Sequence, residues 1–299
     1  MTRPHPLRSR LPIALAAPAL AAVLGGCGIF ASHNQLYPPV ELSIGEPQVR
    51  GSDTVYAYTT LGYELVAPER EQLLDLKPEL DLAVRSYLRY FGETPPRVDV
   101  EYALPQDTLA APDPGVIRVP PPERDRFGGL RLAPVGMLAA RHWLMTRART
   151  TVSASDSVRV PYWLQAGMAD LIGGSAAPGM LAYLLTRNRD SLLPLDSLFA
   201  LATPDSLTGL EPRNRRSRST KLEGARLAHA EALSLLQFIS QKESPRFLGT
   251  LFDGVLNGVS IGDILTSAGS IPSDIPSLEN AWKAWLDNQA SEARPGFGG

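Results

Sequence analysis

The chain has 299 residues, of which 29 are basic and 31 acidic, and a formal net charge of −2. That balance excludes a nucleic-acid binder that works through a broad basic surface. A single cysteine excludes a framework of structural disulfides, while 44% hydrophobic residues are ample for a buried core.

The first element is a leader. Arg3, Arg8 and Arg10 precede the apolar run LPIALAAPALAAVLGG (11–26), which Pro12 and Pro18 interrupt. It is too short and too broken for a transmembrane helix and reads as a secretory signal over 1–26. The run ends at LGGC, Leu24 to Cys27. Small residues ahead of the lone cysteine resemble the lipobox of bacterial lipoproteins; the alternative is an ordinary signal peptide with a chance cysteine. The resemblance implies cleavage before Cys27, a diacylglycerol on its thiol and an acyl chain such as palmitate on the new amino end. Three chains anchor far more firmly than one. Gly28 carries no inner-membrane retention signal of the enteric type, so the implied address is the outer membrane of a bacterial cell envelope. Losing the three leader arginines leaves 26 basic residues against 31 acidic. Residues 27–38 form a lipid-anchored tether.

A domain is expected over 39–289, strand-rich over 39–120 and helical over 130–289. VELSIGEPQV (40–49) and TVYAYTTL (54–61) alternate as strands do. From about Glu69 the apolar spacing turns helical, with Pro78 expected to break or restart the helix before Gly92. RVDVEYAL (97–104) and VIRVP (116–120) are strands, and PPPERDRFGG (120–129) is a loop. Pro134 opens a helix to about 148 and Pro161 one to about 172, stopped by Gly173-Gly174. GMLAYLLTRN (179–188) is helical, and 191–220 reads as a long loop with short turns. Within it RNRRSRSTK (213–221) is a basic run, either a solvated surface or a contact for anionic lipid or lipopolysaccharide phosphates. The segment 222–241 keeps Leu222, Ala225, Ala232, Leu236 and Ile239 on one helical face. Helices at 245–258, 260–269 and 276–289 follow, and 290–299 is a flexible tail. The fold class is α+β: a few N-terminal strands, then a predominantly helical body.

There is no HExxH, GxSxG, Walker loop, GxGxxG or EF-hand loop. Yet the order of parts carries a resemblance: VIRVP, LAARHWLM (138–145), PYWLQAGMADLIGG (161–174), then the helices at 222–289 with Trp282, Trp285 and Leu286 near the end. Over roughly 97–287 it resembles the peptidase MA-like gluzincins, the zinc metallopeptidases related to thermolysin. The residues that carry it best are Pro161, Trp163, Leu164, Gly167 and Ala169. In that family two histidines one helical turn apart and a glutamate from the next helix hold zinc, and a second glutamate takes a proton from the zinc-bound water.

This sequence departs at nearly every such position. The third-ligand place is Ala166, whose methyl group cannot coordinate a metal. If His142 is the second histidine, Leu138 stands for the first and Ala139 for the catalytic glutamate. If His142 is the first, Trp143 replaces the glutamate and Thr146 the second histidine. Both registers stay open. The resemblance therefore implies a pseudoenzyme with no catalytic residues, no cofactor and a surviving framework of His142, Trp163, Leu164, Ala166 and Gly167. The alternative is an active zinc metallopeptidase with a rebuilt site using His142, His229 and a carboxylate, Glu231 or Asp170; the only other histidine beyond the leader, His33, lies in the tether. The expected partners are the membrane, through Cys27, and a peptide or envelope-protein segment held in the former cleft; a purely structural envelope lipoprotein is the third reading.

Overall fold

The computed structural model of the chain describes residues 48–50, 53–102, 115–119, 123–124, 130–131, 134–152, 160–174, 178–201 and 215–293. All lie in one compact unit, residues 44–299. The leader, Cys27, His33 and the tether lie outside the described residues.

Three strands open the fold: β1 (Gln48–Arg50), β2 (Asp53–Thr59) and β3 (Tyr63–Ala67), each antiparallel to the one before. Strand β3 was not anticipated. Four of its five residues are buried, so YELVA lacks the polar alternation that marks a half-exposed strand. The next two, β4 (Val98–Tyr102) and β5 (Val116–Val119), run parallel to β3 and to each other. The sheet order among the described residues is β1-β2-β3-β4-β5, with β5 the last strand. A parallel neighbour requires a crossover, and helix α1 (Arg70–Phe91) supplies it between β3 and β4. A short antiparallel pair, β6 (Glu123–Arg124) with β7 (Leu130–Arg131), falls where a plain loop was expected.

Pro78 does not break α1, contrary to expectation. Leu73 and Leu76 before it, and Leu80, Ala83, Tyr87 and Tyr90 after it, are all buried on one face. That packing outweighs the roughly 3 kcal/mol that an interior proline costs a helix. Reciprocal Glu69 and Gln72 contacts cap the start of α1, and Gly92 at φ 81° closes it with its N–H on Leu88 O at 2.9 Å.

The helical body begins with α2 (Val135–Thr151) and α3 (Tyr162–Gly173). Pro134 and Pro161 occupy the N-cap positions of these helices, one residue earlier than the first turn expected of them. Glu79 of α1 reaches the start of α2, where its carboxylate accepts the Gly136 N–H at 2.9 Å. Then come α4 (Pro178–Arg187), a 3₁₀ turn at Arg189–Ser191, and α5 (Leu195–Phe199). Helix α6 (Arg215–Lys242) is longer than predicted: the backbone of 215–221, read as loop, is helical. Arginine and lysine are good helix formers, and an amphipathic helix follows them directly. Helices α7 (Pro245–Leu256), α8 (Ile261–Leu265) and α9 (Ile275–Glu292) complete the chain, with α9 running three residues past the boundary drawn at 289. The α+β class stands as read.

The core joins both parts. Trp143, Trp163 and Trp282 are among its largest fully buried side chains. Two indole N–H groups pin α9 to α6: Trp282 donates to Ser234 Oγ at 3.1 Å and Trp285 to Gln241 Oε1 at 2.9 Å.

Candidate functional site

Helices α2, α3 and α6 meet, since α3 packs along both others. Glycine permits the closeness. A Cβ on Gly167 would stand 2.8 Å from Leu236 Cδ1 and 2.9 Å from Ala232 O on α6. A Cβ on Gly173 would stand 2.6 Å from the Met137 backbone nitrogen of α2. Trp163, Leu164 and Ala166 are buried in this packing. Ala166 is 1% exposed, so a glutamate there would be a buried carboxylate in need of a cation.

On α2, Ala139 and Trp143 are fully buried, and Trp143 meets Tyr87 edge-to-face at 5.8 Å. In either register that the resemblance left open, the residue set against the family's glutamate, Ala139 or Trp143, lies in the apolar core. His142 is half-buried, and its charged neighbours are Arg149 and Asp99. Burial, and then Arg149, push its pKa below the usual imidazole value against the pull of Asp99.

His229 of α6 has different company. Its Nε2 bonds to the Asp170 carboxylate of α3, and its Nδ1 lies 3.4 Å from the Tyr162 hydroxyl, also on α3. Tyr162, Ala166 and Asp170 are spaced by four residues and share one face of α3. Asp170 is 6% exposed, whereas the His229 side chain keeps 30% of its surface. Burial is the main cause that raises the Tyr162 pKa; Arg141, exposed on α2, opposes it and Asp170 reinforces it.

Glu231, two residues beyond His229, turns elsewhere. It is fully buried and accepts the Leu193 N–H on both oxygens, at 3.2 and 3.1 Å. Burial raises its pKa to about 7; the Leu193 N–H and Lys283 oppose the rise and Glu279 adds to it. The structure thus joins His229 to Asp170 and gives Glu231 another partner, the Leu193 N–H. Among the described residues, no group of three or more His, Cys, Asp or Glu side chains could hold a metal ion. The donor set does not fit zinc. Sequence reasoning named His229 and Asp170 as possible ligands and missed Tyr162 and Arg141. The four-residue spacing from Tyr162 to Asp170 was the signal that could have found the tyrosine.

No family model matches the chain, and comparison with curated proteins and with solved structures finds no match. No helix among the described residues is long and apolar enough to cross a membrane.

Proposed function

We propose that this is a lipid-anchored envelope protein whose gluzincin-like body has given up metal chemistry and holds an extended peptide or protein segment without cutting it. The observation that supports the reading is a sheet that ends, among the described residues, at β5, together with a helix junction that offers no metal-ligand set among those residues. Among the described residues β5 is the last strand of the sheet, and α2 packs against both β4 and β5. An edge strand presents unpaired N–H and C=O groups, which an added strand can satisfy with no metal at all. Where α2 and α3 pack together, the buried Ala166, Ala139 and Trp143 offer no donor to a cation. The anchor is the lipobox-like LGGC ending at Cys27, and the implied location is the outer membrane.

The test is direct. The full chain, in detergent and free of any metal-affinity tag, is dialysed against zinc and then offered strand-forming peptides. The expected result is no stoichiometric zinc, no chelator-sensitive cleavage, and saturable peptide binding. One tight zinc per chain with peptide hydrolysis would overturn the proposal in favour of a rebuilt metallopeptidase.

A further inference from the structure

Between α4 and α5 the chain runs as a strap, residues 188–194, whose one regular turn is the 3₁₀ turn at Arg189–Ser191. Carboxyl groups from two other helices hold it by the backbone. Glu231 of α6 takes the Leu193 N–H, and Glu279 of α9 takes the Leu195 N–H at 2.9 Å. Pro194 between them has no N–H to give. Arg189 adds an ion pair with Asp287 of α9 at 2.8 Å, but both side chains are about half exposed, so that pair contributes little. No residue from 188 to 194 is buried. The strap is therefore a thin cover held by few bonds.

The two carboxyl groups are provided for differently. Glu279 also has the Lys283 ammonium one turn along α9, so its charge is paired. Glu231 is fully buried, and among the described residues the Leu193 N–H is the one donor that its carboxyl receives, shared by both oxygens at 3.2 and 3.1 Å. An ionised carboxylate has room for about four donors. The charges that act on Glu231 are Lys283, already committed to Glu279, and Glu279 itself. The other elements around α6 offer no cation either. On α3, Asp170 is bound to His229; on α4, Arg187 is exposed beside Tyr183. On α7, Arg246 is exposed and Asp253 is bound to Arg147, while Asp190 of the strap and Asp196 of α5 are exposed. Glu231 thus fits its site as a neutral group, and its charged form needs water.

Water can reach it at least cost through the strap. Lifting 188–194 breaks one bond to a buried group and a surface ion pair, and moves no buried side chain. Parting α6 from α9 would instead break the Trp282 bond to Ser234 and open the core. Ionisation strengthens the single Leu193 bond, but one N–H does not replace the hydration of a buried carboxylate. We infer that the strap 188–194 is a proton-dependent cover on α6: it closes on neutral Glu231 through the Leu193 N–H, and it lifts to admit water when Glu231 loses its proton. This switch does not depend on the peptide-binding reading above.

The experiment follows amide hydrogen exchange of residues 188–195 in the full chain in detergent micelles, from pH 5 to pH 8, with the intrinsic pH dependence of exchange divided out. The closed form binds the proton more tightly than the open one, so acid favours closure. With a pKa of 4.5 open and about 7 closed, the opening constant should rise about 70-fold across that range. Glu231→Gln keeps an acceptor for the Leu193 N–H and cannot ionise, so its strap should stay protected at both ends of the range. Lys283→Gln removes the one cation that favours the charged form and should move the midpoint of opening to higher pH. Equal protection of the native strap at pH 5 and pH 8 overturns the inference. So does a loss that survives Glu231→Gln, or a midpoint that Lys283→Gln leaves in place or lowers. A loss shared in step by the buried Leu233, Leu235 and Leu236 of α6 overturns it too, because the whole core would then be opening.

Discussion

Two polar clusters bind distant helices together in this molecule, and they are built differently. At the first, Arg147 of α2 meets Asp253 of α7 through two N–H donors at 2.7 and 2.6 Å and also pairs with Glu93 beyond the end of α1. Its guanidinium carbon lies 4.5 Å from the centre of the Phe91 ring. The Asp253 bonds are the leading cause that raises its pKa and keeps it charged. At the second, His229 has one firm partner in Asp170, one long contact to Tyr162 and a third of its surface open. The first cluster is saturated and holds helices in place. The second is looser, with one long contact and a partly exposed ring. What separates the two is not burial alone but how closely each hydrogen-bonding group is matched by its partners.

The difference can be broken first at Arg147. Arg147→Met strands Asp253 half-buried without its cation, and partial exposure places the loss near the low end for broken buried pairs, about 3 kcal/mol. Urea unfolding measures it; a loss below about 1 kcal/mol would show that the saturated cluster is not a clamp.

Glu231, beside the second cluster, supplies a pH-dependent test. Its pKa is raised from the ordinary 4.5 to about 7 on folding, so between those values the folded chain binds more protons than the unfolded one. The associated stability is full below about pH 4.5 and is lost as pH rises through 7. The change amounts to up to about 3 kcal/mol at 1.36 kcal/mol per pKa unit. Glu231→Gln, which can still accept the Leu193 N–H, should flatten the decline in melting temperature between pH 5 and pH 8. An unchanged slope would locate that pH dependence elsewhere.

Next comes Gly167→Ala. Its Cβ would meet Ala232 O, a backbone atom that cannot turn aside, so α3 and α6 must move apart at a cost of about 1–3 kcal/mol. Because the shift separates Asp170 from His229, the His229 ring signals should move as well. Stability lost with those signals unmoved would uncouple the helix spacing from the site.

The smallest stability effect belongs to Tyr162→Phe. The hydroxyl makes one long contact, so its loss, measured by urea unfolding, should change stability by less than about 1 kcal/mol. A large destabilisation instead would make the second cluster as structural as the first.

Much of the fold was legible in the chain. Proline and glycine punctuation placed α2 and α3 to within a few residues, because Pro134, Pro161 and Gly174 act locally on backbone angles. Alternation placed β2 and β4 for a similarly local reason. Strand β3 and the unbroken α1 were not legible: one is covered along most of its length, and the other is held through Pro78 by neighbours that the sequence does not list side by side.

The candidate site divides in the same way. The sequence alone determined that Ala166 offers no metal ligand and that Cys27 is the single thiol, since composition and side-chain chemistry need no coordinates. Only the tertiary structure decided that His229 turns to Asp170 and Tyr162 and that Glu231 turns to Leu193. These partners are 59, 67 and 38 residues apart, and helix packing rather than local spacing chooses among them.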